Sequence, residues 1–444
     1  MKKKLLSLVM IFVMQQALYA KPQASTMTIQ SKQEQQQKMP LLLGVVGKHT
    51  AELDEFARYI KIMLDRTNQR TSGFKVTVKS FEKVPTTKQV KQMAVDGFPL
   101  SVFITESADN FLEWRMYDTK VASMVRGKRF AKQDMPVRCR AELLAGQLWP
   151  LLTGQEGFFT SRIAFCKEVQ GEKKRARTIC LAPPYADPAQ SLYNEFCTPL
   201  VEKGRAFALR WNKDSISPLL LYSEATRSNI RLMSVDLHKQ RKLVSNFDGF
   251  NMLPSFSADS KRVIYCRSLN GKSQLYVCEQ KDDESLVRPI TANNGNNVCP
   301  TLCENGDIIF CSDAYKKGPQ VCYYHAFTEQ TEVLTDGDHC VSPAYCAKSG
   351  KIAYSAFVDG AMQIFVYDMK TKKSEQVTFD KNHKEECTWS PCGNYLAFTV
   401  QTGSASRIAV LNLVTQERTF LTSAQDRCNH PAWSPAYKVP LVVS

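Results

Sequence analysis

The feature that most constrains this chain is a repeat of about 44 residues through its C-terminal part. Pro254-Ser255-Phe256-Ser257 is echoed by Pro300-Thr301-Leu302-Cys303 and by Pro343-Ala344-Tyr345-Cys346. It returns as Cys387-Thr388-Trp389-Ser390 and as Pro431-Ala432-Trp433-Ser434, and Trp211 sits one step upstream. The large apolar anchors Trp211, Phe256, Leu302, Tyr345, Trp389 and Trp433 are therefore spaced by 45, 46, 43, 44 and 44 residues. A period-locked aromatic is read as packing rather than as a ligand-stacking surface.

The interior keeps phase as well. After each anchor comes a polar turn, such as Ala258-Asp259-Ser260 or Pro391-Cys392-Gly393, then a short apolar strand such as Val263-Ile264-Tyr265. A third strand is expected to open at Gln274, Gln320, Gln363 and Arg407, and a fourth to end at Thr291, Thr335, Thr378 and Thr422. Four short strands per repeat make a propeller blade. Only eleven residues follow Trp433, whereas Arg162–Cys166 and Arg177–Cys180 match second and third strands ahead of the first anchor. The C-terminal strand should thus complete a blade begun near Ser161. Such closure removes exposed sheet edges. The expected fold is a small α/β domain over 40–157 and an all-β six-bladed propeller over 158–444.

The smaller domain shows no repeat. Leu41–Val46 reads as a buried strand, and Leu53, Phe56, Ile60, Met63 and Leu64 recur at helical spacing. Thr50 is placed to cap that helix and Gly73 to follow it. Pro99–Thr105, Phe111–Tyr117 and Val121–Val125 read as strands, and Met135–Leu152 as a closing helix that Pro150 disturbs in its last turn. The expectation is three helices and four or five strands.

Lys2, Lys3 and Lys4 precede an apolar stretch from Leu5 to Met14 and a small residue at Ala20. That is a secretory signal pattern over 1–20, too short in its apolar part to span a bilayer. Residues 21–39 hold six Gln and few apolar side chains, a flexible arm. The chain carries a net charge of +15 on 444 residues, which suits anionic envelope surfaces or acidic partners without naming one. No nucleic acid is expected among its partners.

Chemistry is hard to find. G-x-S-x-G, a phosphate-cradling G-x-x-x-x-G-K-[ST] and H-E-x-x-H are all missing. His339 beside Cys340 tempts, but Cys299…Cys303 and Cys387…Cys392 lack zinc-ligand spacing. No catalytic residue, metal or cofactor is expected. An exported propeller enzyme, or the accessory half of an oligopeptidase-like hydrolase, stays open beside a binding protein.

Leu152-Thr153-Gly154-Gln155-Glu156-Gly157-Phe158-Phe159-Thr160-Ser161-Arg162-Ile163-Ala164-Phe165 resembles the domain junction L-T-G-x-x-G-x-F-x-T-x-I-A of the TolB family, with one residue shifted. Pro431-Ala432-Trp433-Ser434-Pro435 resembles that family's C-terminal phrase, and the likeness runs from Leu41 to Tyr437. The chain departs from the family where its helix before the junction usually carries His and Asp; Glu142 and Gly146 stand there. The resemblance implies a monomeric periplasmic adaptor of a Tol-Pal-like system, peripheral to the outer membrane, that supports outer-membrane integrity and envelope constriction at cell division. It implies binding of a peptidoglycan-associated lipoprotein resembling Pal, and of a TolA-like inner-membrane protein through the N-terminal arm, where Met27-Thr28-Ile29 is the nearest candidate. It also implies that Pal meets the loops just before the anchors. Those loops carry Phe250, Asn251, Asn296, Asn297, Asp338, His339, Glu385, Glu386, Asn429 and His430. Location transfers here, not residue identity, and solvated turns are the alternative.

Fifteen cysteines is an odd number, so one at least is unpaired within a monomer. Cys166, Cys266 and Cys311 follow an aromatic residue in second strands, and Cys180, Cys278 and Cys322 sit in the facing third strands. Cross-strand disulfides Cys166–Cys180, Cys266–Cys278 and Cys311–Cys322 are the expectation if those residues lie directly opposite one another. A small residue wanted where blades pack is the alternative, since Ser223, Ser355 and Thr399 share the phase.

Overall fold

The computed structural model describes residues 38–438 apart from 48–49, 67–73, 108–110, 132–134, 170–175, 190–196 and 282–283. The expected signal segment, residues 27–29 and Gly73 lie outside the described residues.

An apolar run without alternation needs cover on both faces, and β1 (Met39–Val46) has it. Helix α1 (Ala51–Arg66) starts where the Leu53 amide donates to Thr50 Oγ1 at 3.2 Å. Strand β2 (Phe74–Phe81), helix α2 (Thr87–Val95) and strands β3 (Leu100–Glu106), β4 (Phe111–Asp118) and β5 (Ser123–Ala131) follow. They form one sheet in the order β2-β1-β3-β4-β5, parallel around β1 and antiparallel beyond β3. The last strand begins later than Val121–Val125 suggests. Asp118 Oδ1 accepts from the Lys120 amide at 3.0 Å, and Ala122 takes φ +52°, so 119–122 is spent on a turn. Helix α3 (Val137–Thr153) packs with α1 against Leu41, Leu43 and Val45, while α2 covers Leu42 and Val46 on the other face. Pro150 lies inside the last turn of α3, which ends at Gly154 in the left-handed region, φ +71°.

Strands β6 (Ile163–Glu168), β7 (Arg177–Ala182) and β8 (Thr198–Gly204) open the propeller as three strands of an incomplete blade. Five complete blades follow: β9 (Ala206–Trp211), β10 (Leu219–Ala225), β11 (Ile230–Asp236), β12 (Arg241–Ser245); β13 (Phe250–Phe256), β14 (Arg262–Leu269), β15 (Lys272–Lys281), β16 (Glu284–Pro289). Next come β17 (Asn297–Leu302), β18 (Ile308–Ser312), β19 (Gln320–Tyr324), β20 (Thr331–Val333); β21 (Asp338–Cys346), β22 (Lys351–Val358), β23 (Ala361–Asp368), β24 (Lys373–Gln376). The fifth is β25 (His383–Trp389), β26 (Tyr395–Thr402), β27 (Ala405–Asn412), β28 (Arg418–Phe420). The final strand, β29 (Cys428–Trp433), pairs with β6 in the order β29-β6-β7-β8, so both chain ends close the six-bladed ring.

Two devices explain the repeat phase, one polar and one of the backbone. Thr291, Thr335, Thr378 and Thr422 fall just past the fourth strands rather than ending them, and each buried hydroxyl accepts from a third-strand amide. The donors are Leu275 (2.9 Å), Val321 (3.0 Å), Ile364 (2.8 Å) and Ile408 (2.9 Å). Gln320 and Gln363 accept from two of those hydroxyls, and their amides, like that of Gln274, donate to carbonyls of the loop leading to the next blade. Burying a polar side chain without such partners would cost about 1–3 kcal/mol. The second device is a bulge. Ala208, Leu253, Cys299, Ser342, Glu386 and His430 all adopt φ between +53° and +59°, each three residues before an anchor. The extra residue falls where each inner strand slips register against its neighbour, and it bends the strand there.

The domain junction is a buried ion pair. Arg162 Nη2 donates to Glu142 Oε2 at 2.9 Å, Tyr185 Oη donates to Glu142 Oε1 at 2.5 Å, and Arg162 Nη1 donates to the Ser161 carbonyl at 2.9 Å. Burial, then the Glu142 carboxylate, pushes the Tyr185 phenol up, which keeps it a proton donor. Gly157 approaches Gly146 of α3 so closely that a Cβ there would sit 2.7 Å from the Gly146 carbonyl oxygen. The residues that depart from the family helix thus build this junction. One apolar cluster runs from α1 and α3 through Phe158 and Phe159 to Tyr395 and Trp433.

Candidate partner-binding face

Each inner strand runs from a loop at one end of the tunnel, here called the mouth, to its anchor at the other. At the anchor end Trp211, Phe256, Leu302, Trp389 and Trp433 are buried and Tyr345 is half-buried. Trp211 Nε1 donates to the Ala432 carbonyl at 3.1 Å, Trp389 Nε1 to the Ala344 carbonyl at 2.9 Å and Trp433 Nε1 to Ser161 Oγ at 2.8 Å. The first two indoles therefore staple neighbouring blades and the third ties β29 to the segment entering β6 of its own blade, which suits their double character of apolar body and polar tip. Between them lies a cavity of about 370 Å³, edged by Arg210, Lys213, Glu304 and Lys348.

At the mouth the ten loop residues separate into groups. Phe250, Asn296, Asp338 and His339 are exposed, and Glu385, Glu386, Asn429 and His430 are half-buried. Asn251 and Asn297 are fully buried and spoken for. Asn251 Nδ2 donates to the Phe247 carbonyl at 2.6 Å, and its Oδ1 accepts from Ser245 Oγ at 3.1 Å. Asn297 Nδ2 donates to Asn293 Oδ1 at 2.8 Å, and its Oδ1 accepts from Ser312 Oγ at 2.7 Å. These two hold their loops and leave nothing for a partner, because amide side chains satisfy backbone groups in tight turns.

Glu386 is also committed. Its carboxylate accepts from the His430 amide (2.7 Å) and the Thr399 hydroxyl (2.7 Å) and lies 2.5 Å from His430 Nδ1. Burial opposes its ionisation, yet His430 and Thr399 outweigh that and hold the carboxyl down at about 2. Glu385 goes the other way, raised by burial and then by the neighbouring Glu386. Lys384 is fully buried, with Nζ 2.5 Å from Asp380 Oδ1 and donating to the Asp380 and Asn382 carbonyls. That clasp fixes the loop carrying Phe379, a residue 75% exposed.

Phe379 belongs to an apolar set that periodicity does not reveal. Phe247, Phe250, Leu269, Tyr315, Phe357 and Phe379 are all exposed. Strand register puts them at one end: Phe250 pairs with Ser268, Asn297 with Ser312 and Asp338 with Phe357. They occupy different turns in different blades, so no repeat phase marks them. Exposed aromatic side chains gathered at one end of a fold are candidates for a contact surface.

The expected disulfides are corrected by register. Cys166 pairs with Ile179 and Cys180 with Phe165; Cys266 pairs with Leu275 and Cys278 with Val263; Cys311 pairs with Val321 and Cys322 with Phe310. Each pair is offset by an odd number of residues, so its members point to opposite faces of the sheet. All fifteen cysteines are thiols rather than disulfides. Among the described residues no three His, Cys, Asp or Glu side chains converge as metal ligands. No helix among them is long and apolar enough to cross a membrane.

The fold has clear relatives. TolB from Acinetobacter baumannii superposes with a TM-score of 0.73 at 19% identity, covering 90% of this chain and 98% of that one. Hydrazine synthase from Kuenenia stuttgartiensis reaches 0.51 at 12% identity over 66% of this chain and 49% of that one. At such identities the likeness is one of fold alone. A family model described as the TolB beta propeller domain matches residues 149–437. That match spans more than half of the sequence, and the chain belongs to the TolB β-propeller family.

Proposed function

We propose that this protein is a non-enzymatic periplasmic adaptor of a Tol-Pal-like system, exported by its N-terminal segment and peripheral to the outer membrane. Its mouth binds a peptidoglycan-associated lipoprotein, and through that contact it supports envelope integrity and constriction. A TolA-like inner-membrane protein is the second partner, reached through the N-terminal arm. The observation that carries this reading is the set of exposed apolar side chains around Phe250 and Phe379, held on loops that buried Asn251, Asn297 and Lys384 make rigid. Rigid presentation of aromatic anchors lowers the ordering cost of association.

The test is a pull-down from envelope extract with the full exported chain, run beside an active-site probe for serine hydrolases. Recovery of an outer-membrane lipoprotein, weakened by Phe250→Ala plus Phe379→Ala, supports the adaptor. Labelling by the probe, or recovery that ignores both substitutions, contradicts it.

A further inference from the structure

We infer that Cys180 and Cys197 form a redox-responsive disulfide that closes the segment carrying the interdomain contact Tyr185. Strands β7 and β8 pair Cys180 with Pro199 and Leu181 with Thr198. Cys197 is two residues from Pro199, so it lies diagonally across from Cys180 on the same face of the sheet. Both belong to one packed cluster, the Cys180 thiol buried and Cys197 half-buried at its margin. The two side chains are in hydrogen-bonding contact, and that contact contributes to a strongly raised Cys180 thiol.

The surroundings set the order of events. Lys167 holds Asp426 at 2.8 Å, and its ammonium also faces Cys197 and Cys428. Cys197 is half-buried where Cys180 is buried, so its sulfur is the one an oxidant reaches first. Cys197 attacks a small-molecule disulfide such as oxidised glutathione, forming a mixed disulfide and releasing one glutathione thiolate. Cys180 then attacks the Cys197 sulfur and expels the second. Two protein thiols are oxidised by two electrons, one glutathione disulfide is reduced to two thiols, and the two protons leave on them. The ring so closed contains Tyr185, whose hydroxyl donates to Glu142 of α3. Cross-linking its ends restricts the chain's freedom to leave that contact.

The experiment treats the full chain with oxidised glutathione, alkylates it and maps it without reduction. Trypsin leaves both cysteines on the peptide 178–203, because no Lys or Arg intervenes. The expected result is a 178–203 peptide lighter by two hydrogens and resistant to alkylation, with an upward shift in melting temperature. Cys197→Ser should abolish both, and Cys428→Ser should leave both unchanged. Two alkylated cysteines, a persistent glutathione adduct on Cys197, or a bond from either cysteine to Cys428 or Cys166 overturns the inference.

Discussion

At the anchor end of the propeller, large side chains turn inward, and each indole hydrogen-bonds to a neighbouring segment. At the mouth, exposed aromatics stand on turns of several blades, and the loops there are pinned by buried amides and one buried lysine. One end spends its aromatic residues on holding blades together, and the other keeps them in water. The difference teaches where stability and recognition are lodged: substitutions at the first should unfold the protein, and substitutions at the second should spare the fold and cost binding.

The largest effects are expected on the stable side. Trp389→Ala should cost about 3–5 kcal/mol in denaturant melts, from lost packing and a cavity. Glu142→Ala leaves the buried Arg162 without its carboxylate and should cost a comparable 3–5 kcal/mol or so. Gly157→Ala should follow at about 1–3 kcal/mol, since its Cβ meets helix backbone at Gly146 rather than a yielding side chain. An unchanged melt for any of the three would break the comparison.

Smaller effects sharpen it at the mouth. The Glu386 carboxyl is held at about 2, below its ordinary 4.5. Its contribution to stability is therefore present above pH 4.5 and is lost as pH falls through about 2. Glu386→Gln should flatten that acid limb of the stability curve. Glu385, raised by burial beside Glu386, has the opposite sign, so Glu385→Gln should stabilise at neutral pH. Smallest of all, Phe250→Ala and Phe379→Ala should each change stability by no more than about 0.5 kcal/mol in the same melts.

What was legible in the sequence was what repeats. The anchors, the third-strand Gln or Arg positions and the Thr positions recur at one spacing, and the residues left over at the two ends mark the split blade, so phase alone places six blades and the closing strand. Register was not legible, because it depends on where each hairpin turns. The turn between β14 and β15 pairs Leu269 with Lys272, which puts Cys266 opposite Leu275 and leaves Cys278 facing Val263. Cysteines that look symmetric about the turn therefore point apart. The buried fates of Asn251 and Asn297 escaped for a related reason, since a bulge three residues before each anchor decides which loop side chains turn inward. The apolar set at the mouth escaped because its members share an end of the propeller and no position in the repeat.

The most direct test of the division between the two ends is hydrogen exchange on the full chain with and without a peptidoglycan-associated lipoprotein. Slowed exchange at 247–251, at 313–319 and at 379–386, with the strand ends around Trp211, Trp389 and Trp433 unchanged, is the expected result. Protection confined to the cavity edged by Arg210, Lys213 and Lys348, with the mouth loops exchanging as before, would contradict the account.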